Sequence, residues 1–228
     1  MTLLDFNNWL LELNRFSGLA VILYFVFFPK RLMTIYGLLF LTIAFSFLAD
    51  NIIWFFIRFV YPNSFIIGNS WLLLNFGIVS WLFGKLLPER RLVIIVSGVL
   101  FFVGATVSFG WFFSFLEFNT FIGVYSCINF TILSVFLYLR ILNDKKTQLK
   151  TMPEFWIANA FFFYSSLTLF RSLFTQFAVF DLEISKELHS AISIINLTAN
   201  IAKNFILFYA LILIDKGFLH AKKEIANG

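Results

Sequence analysis

The sequence predicts an all-α, polytopic membrane protein. It reads as one domain over residues 1–228, a seven-transmembrane helix bundle with its N-terminus outside and its C-terminus in the cytoplasm. Three observations carry this expectation. Composition is 61% hydrophobic and 13% charged, where soluble domains are about half apolar and about 25% charged. A core of this chain length cannot hide such an excess, so lipid must solvate much of the surface. Apolar runs recur at the length of about 20 residues that a spanning helix needs. Lys and Arg gather in alternate links between those runs.

The spans follow in order. Span one is expected over 9–28, ended by Pro29-Lys30-Arg31. Span two covers 33–60 and stops at Tyr61-Pro62-Asn63. Span three covers 65–87, closed by Pro88-Glu89-Arg90-Arg91. Spans four and five cover 92–115 and 118–142. A polar link from Asn143 to Pro153 precedes span six, 155–179. An acidic link from Asp181 to His189 precedes span seven, 190–214, and a tail of mixed charge follows. The segment Met1–Asn8 is acidic and lacks the basic start of a cleaved signal peptide, so the first apolar run is expected to be retained. Trp9, Trp54, Trp111, Trp156 and Tyr61 fall near span ends, where amphipathic rings sit at headgroup level. Gly104 and Gly110, with Ala105, read as close-packing positions in span four. Cys127 lies inside an apolar run and reads as a small buried hydrophobe.

Orientation rests on the basic residues. The links after spans one, three and five hold Lys30, Arg31, Lys85, Arg90, Arg91, Lys145, Lys146 and Lys150, and the tail adds Lys216, Lys222 and Lys223. The opposite links hold Lys186. The net charge of +5 is thereby assigned to cytoplasmic links, with membrane lipids rather than nucleic acid as the partner. A chain rich in Phe, Ile and Asn fits an AT-rich bacterial genome, and the expected location is a bacterial cytoplasmic (inner) membrane.

Ionisable groups at membrane depth are costly and mark candidate sites. Span two carries Asp50, with Arg58 near its outer end. Span six carries Arg171 and span seven Lys203. Glu12, Asn14 and Arg15 lie near the outer end of span one, where they are expected to reach water. At 1.5 Å per residue, Asp50 lies roughly 15 Å, Lys203 roughly 20 Å and Arg171 roughly 10 Å below the outer surface. A salt bridge from Asp50 to Lys203 or Arg171 is therefore expected. Ser193, Asn196, Asn200, Lys203 and Asn204 recur at spacings of three and four and share one helical face. Asn75, Ser126, Asn129, Asn159, Tyr164 and Thr168 are the groups expected to face it. Such a stripe serves either interhelical hydrogen bonding or a polar cavity opening outward, with Lys203 at its floor.

Several chemistries find no motif. His189 and His220 are too far apart to read as a metal pair, and no span holds the closely spaced His and carboxylates of a metal-dependent hydrolase. There is no Gly-rich phosphate loop and no GxSxG elbow. The paired broken helices of a transporter are not found.

Three segments carry a resemblance: Phe45–Phe56 (FSFLADNIIWFF), Pro153–Ser166 (PEFWIANAFFFYSS) and Asn196–Phe208 (NLTANIAKNFILF). They resemble uncharacterised small seven-transmembrane proteins of the Bacteroidota, which look like the membrane sensor domains of histidine kinases. The resemblance implies that Asp50, Trp156, Tyr164, Asn196 and Asn200 are family-type positions and that Lys203 is a departure. The segment FSFLAD with Gly68–Asn75 also resembles part of the lysoplasmalogenase-like hydrolases, which use paired intramembrane aspartates where this chain offers Asp50. A lysine in the middle of span seven resembles retinal-binding proteins, although span six lacks a proline and span three is poor in carboxylates. The expected function is a sensor or interaction module without enzymatic activity of its own. It would bind a small or lipid-like ligand, or a protein partner, within the bundle. Output would pass to a cytoplasmic signalling protein or another membrane-complex subunit through the Asn143–Met152 link and the tail. The alternatives are a lipid hydrolase centred on Asp50, a transporter, and a retinal-binding protein using Lys203.

Overall fold

The computed structural model describes residues 2–27, 34–59, 65–112, 119–143, 148–181 and 186–227. Those residues are helical, with no strand among them. The helices are α1 (Leu3–Ser17), α2 (Leu19–Phe27), α3 (Ile35–Phe59), α4 (Phe65–Leu86), α5 (Arg91–Val107), α6 (Thr120–Asn143), α7 (Pro153–Asp181) and α8 (Lys186–Asn227). Lipid leaves the backbone no solvent partner, so each segment must satisfy its own peptide groups as a helix. Within the described residues, Ile66–Leu86, Pro88–Phe112, Thr120–Asn143 and Ser190–Asp215 are long and apolar enough to cross a membrane. The chain is an integral membrane protein of helical type.

Most helix limits match the apolar runs to within a few residues, and the departures have local causes. The first run is two helices, α1 and α2, abutting at Gly18. A Cβ at Gly18 would stand 2.9 Å from the Phe47 Cβ, so the missing side chain lets the chain press against α3. The start of α1 is a capping box: the Thr2 hydroxyl accepts from the Asp5 N–H at 3.2 Å, and the Asp5 carboxylate accepts from the Thr2 N–H at 2.8 Å. Those bonds hold the Asp5 carboxyl below its ordinary pKa. The fourth run changes to a π-helical turn over Ser108–Phe112. Gly104 lies against the Phe121 ring, as a packing glycine should, whereas Gly110 has open space where its Cβ would be. Pro153 begins α7, where its missing N–H costs nothing. The Trp156 indole donates to the Lys150 carbonyl at 3.0 Å and pins the preceding link. Trp9 and Trp111 are exposed, and Tyr61 and the Trp54 side chain lie outside the described residues. The expected tail does not separate from the last span, because α8 continues to Asn227. The expected links at 29–31 and 61–63 fall outside the described residues.

Six helical positions form a ring, with α1 and α2 together making one of them. The α1/α2 pair packs on α3 and α8, α3 on α4, α4 on α6, α6 on α7, and α7 on α8. Helix α5 lies outside the ring against α4 and α6, and shows Leu92, Val96, Val99 and Val103 to its surroundings. Its mean hydropathy of 2.5 is the highest of the four apolar spans, as a helix bathed in lipid requires. Phenylalanine builds the core. Phe101 of α5 stacks on Phe76 of α4 at 3.7 Å, Phe76 lies 5.6 Å from Phe130 of α6, and Phe130 lies 6.1 Å from Phe161 of α7. Below this row of rings the bundle is dry, with Leu38, Leu82, Leu137, Ile157 and Leu207 fully buried. Basic side chains close that end. The Arg140 guanidinium donates to the Leu86 carbonyl at the end of α4, and Arg90 lies 5.1 Å over the Phe136 ring.

The close approach at Gly18 gives a direct expectation. Gly18→Ala should push α2 off α3 and destabilise the bundle by about 1–3 kcal/mol. Gly98→Ala, where nothing lies within 4 Å in the interior of α5, should be neutral or slightly stabilising. Thermal unfolding in detergent checks both, and equal midpoints for the two variants would contradict the packing account.

A polar cavity at one end of the bundle

A cavity of 740 Å3 lies inside the ring. All six ring positions contribute and α5 does not. The walls include Asn14 and Arg15 from α1, Ser46, Asp50 and Ile53 from α3, and Trp71, Leu72 and Asn75 from α4. Ser126, Cys127 and Phe130 come from α6, Tyr164, Thr168 and Arg171 from α7, and Ser193, Asn196 and Asn200 from α8. The stretches Gly68–Asn75, Gly123–Phe130 and Ser193–Asn200 each cover about 10 Å of helix. They belong to the N-terminal halves of α4, α6 and α8, and Ser46–Ile53 and Tyr164–Ser172 run from the middle of α3 and α7 into their C-terminal halves. In an antiparallel ring these halves share one end, opposite the dry core. Phe130, on its row of stacked rings, closes the bottom.

The α8 stripe splits between two tasks. Ser193, Asn196 and Asn200 line the cavity. The Asn196 side-chain oxygen accepts from the Thr168 hydroxyl at 3.2 Å. Deeper down, Asn204 donates to the Ser17 hydroxyl at 2.7 Å and so joins α8 to α1. Lys203 is 3% exposed and is not part of the cavity wall. Its ammonium sits 4.2 Å from the centre of the Tyr164 ring, which satisfies the charge through the ring's negative face. The expected floor lysine is thus screened from the cavity by Tyr164.

The expected salt bridge is also corrected. Asp50 pairs with neither Lys203 nor Arg171. Its carboxylate accepts from the Asn14 side-chain amide at 3.1 Å. The Asn14 oxygen in turn accepts from the Asn200 amide at 2.7 Å. One side chain of α1 therefore bridges α3 and α8. Asn14 is 7% exposed and does not reach out to water as expected. Arg15 turns into the cavity wall, pairs with Glu12 at 2.6 Å and donates to the Asn51 oxygen at 3.3 Å. Arg58 falls outside the residues whose side chains are described.

Two expected facing groups point elsewhere. Asn129 accepts from Ser97 of α5 at 2.9 Å, on the outer side of α6. Asn159 donates to the Phe155 carbonyl of its own helix at 2.8 Å. Neither lines the cavity. Asn75 does, and its amide has no hydrogen-bond partner among the described residues. The same holds for Arg171, which lines the cavity with neither an ion pair nor a hydrogen bond to any described residue.

Residues overlooked in the sequence follow a pattern. Asn7, Leu10, Asn14 and Ser17 are the buried positions of α1 and recur at three and four. That period was the signal for a buried polar face. Cys127, read as packing, also faces the cavity. Asn119 is fully buried at the head of α6. Its side chain accepts from the Ile122 N–H at 3.2 Å and donates to Ser108 at 2.8 Å. It caps α6 and anchors the π-helical turn. The described residues hold no cluster of His, Cys, Asp and Glu fit for a metal ion.

The Asn14 bridge can be measured. Asn14→Ala strips a buried carboxylate and a buried amide of a partner and should cost about 1–3 kcal/mol. Asn14→Ala with Asn200→Ala should cost less than the sum, since both remove one bond. Additive losses in thermal unfolding would contradict the bridge. No family model, curated sequence or solved structure matches this chain, so its function is argued from the geometry of the cavity.

Proposed function

We propose that the protein is a seven-span receptor-like membrane module whose cavity opens outward and binds a small or lipid-like ligand. The observation that supports this most is the division of the bundle. A cavity lined from six ring positions occupies one end, and a dry aromatic and aliphatic core fills the other. The dry end carries Lys85, Arg90, Arg91, Arg140 and Lys150. Positive charge marks the cytoplasmic side, so on this reading the cavity faces out and the N-terminus is outside. A volume of 740 Å3 lies within the roughly 300–1,000 Å3 of small-molecule sites. Apolar walls at Trp71, Leu72, Ile53 and Phe130 alternate with a few directed polar groups, which is how such sites combine affinity with orientation.

A ligand seated there touches α1, α3, α4, α6, α7 and α8 together. It can favour one arrangement of the ring only by its difference in affinity between arrangements. The dry end would carry that preference to the basic links and a cytoplasmic or membrane partner. The runner-up is a lipid hydrolase on Asp50. Its carboxylate does line the cavity, but the lining residues hold no second carboxylate and Asp50 is occupied by Asn14.

Labelling with a membrane-impermeant thiol reagent tests the reading. The native Cys127 should react from the outside only. With Cys127→Ala, a cysteine at the exposed Glu187 should also react from outside, and one at the exposed Lys150 only from the cytoplasmic side. The reverse pattern would overturn the orientation. Lipid turnover that Asp50→Asn abolishes in a folded protein would favour the hydrolase.

A further inference from the structure

We infer that the ligand of this cavity is an organic anion, a carboxylate on an apolar body, held by Arg171. The inference rests on the proposed outward-facing binding cavity and names the chemistry it takes. Three charged side chains line the walls: Arg15, Asp50 and Arg171. Two are already engaged. Arg15 meets Glu12 and Asn51; Asp50 accepts from Asn14 and has the Lys203 ammonium within electrostatic range to offset its charge. Arg171 remains, with neither an ion pair nor a hydrogen bond to any described residue.

The surroundings of Arg171 decide the ligand class. It lies one turn beyond Thr168 and two beyond Tyr164, on the face of α7 that meets the cavity. An unpaired guanidinium at membrane depth is costly, and such residues pair or face water. A planar fork of donors matches a carboxylate in two parallel hydrogen bonds. Lys203, the other deep cation, cannot serve, because the Tyr164 ring covers it outside the wall. Asn75, also without a described partner, offers a further amide to a polar group of the same ligand. Trp71, Leu72 and Phe130 leave an apolar volume for its body.

The test uses a matched series on the full chain in lipid nanodiscs: 4-phenylbutyrate, 4-phenylbutanol and 4-phenylbutylamine, with thermal unfolding as the readout. The carboxylate should bind about tenfold tighter than the alcohol, as a charge-assisted hydrogen bond implies. The amine should bind weakest. Arg171→Gln should close the gap between carboxylate and alcohol, and Arg171→Lys should keep part of it. Equal binding of carboxylate and alcohol in the wild type would overturn the anion inference and leave the cavity reading standing. An amine preference, or a gap that survives Arg171→Gln, would overturn it as well. No stabilisation by any of the three would overturn both. If Arg171→Gln does not fold, the native Cys127 supplies a second readout in the wild type. An anionic methanethiosulfonate should modify it faster than a cationic one of similar size, and the opposite order would refute an anion-selective cavity.

Discussion

The side-chain amide of Asn14 fixes how the charges of this bundle are distributed. In lipid a buried amide needs both a donor and an acceptor partner, and Asn14 has Asp50 on one side and Asn200 on the other. Because Asp50 is held by α1, it does not cross the ring to a cation. Lys203 therefore finds its partner in the face of Tyr164, and Arg171 is left facing the cavity. The same bridge joins α3, α1 and α8, with Asn204 and Ser17 repeating the tie one turn below. One side chain with two hydrogen bonds thus joins three walls of the cavity and decides which charge it presents.

The bundle divides its two ends by packing chemistry. The stacked rings of Phe101, Phe76, Phe130 and Phe161 run across four helices and separate a dry half from a polar half. Packing of this kind is stiff, so in the proposed receptor a movement at the cavity would reach the basic end as rigid shifts of helices. At that end the Tyr24 hydroxyl donates to Asp215 and Arg140 holds the Leu86 carbonyl, joining α2 to α8 and α6 to α4. In the proposed receptor, these ties are where a change at the cavity would be read.

The helices were legible in the sequence, because apolar runs bounded by Pro and basic residues leave little choice in lipid. The α8 stripe was legible for a similar reason, since its spacing of three and four forces one face. Helix rotation was not legible. Asn129 and Asn159 were polar and deep, but only the packing of α5 against α6 shows that Asn129 turns outward to Ser97. The high hydropathy of Pro88–Phe112 fits a lipid-bathed helix, but it does not say that α5 leans on α4 and α6 from outside the ring. The break at Gly18 depends on Phe47 of another helix, so Gly18 and Gly110 look alike in sequence and differ in space. Asn119 falls at the start of the fifth apolar run with nothing in the sequence to mark it, whereas its side chain is a buried cap. The salt bridge failed because depth alone was matched. Asp50 and Lys203 are near enough to interact electrostatically, but Asn14 and Tyr164 are the groups they touch.

The central claim is that the polar end is a site with an anion partner, and an experimental density map of the protein in lipid tests it most directly. The account expects density that is not protein beside Arg171 and Asn75, with Phe130 beneath it and Lys203 still covered by Tyr164. A collapsed cavity would contradict it, with α6 and α7 closed over the space and Arg171 paired to a carboxylate of the chain itself.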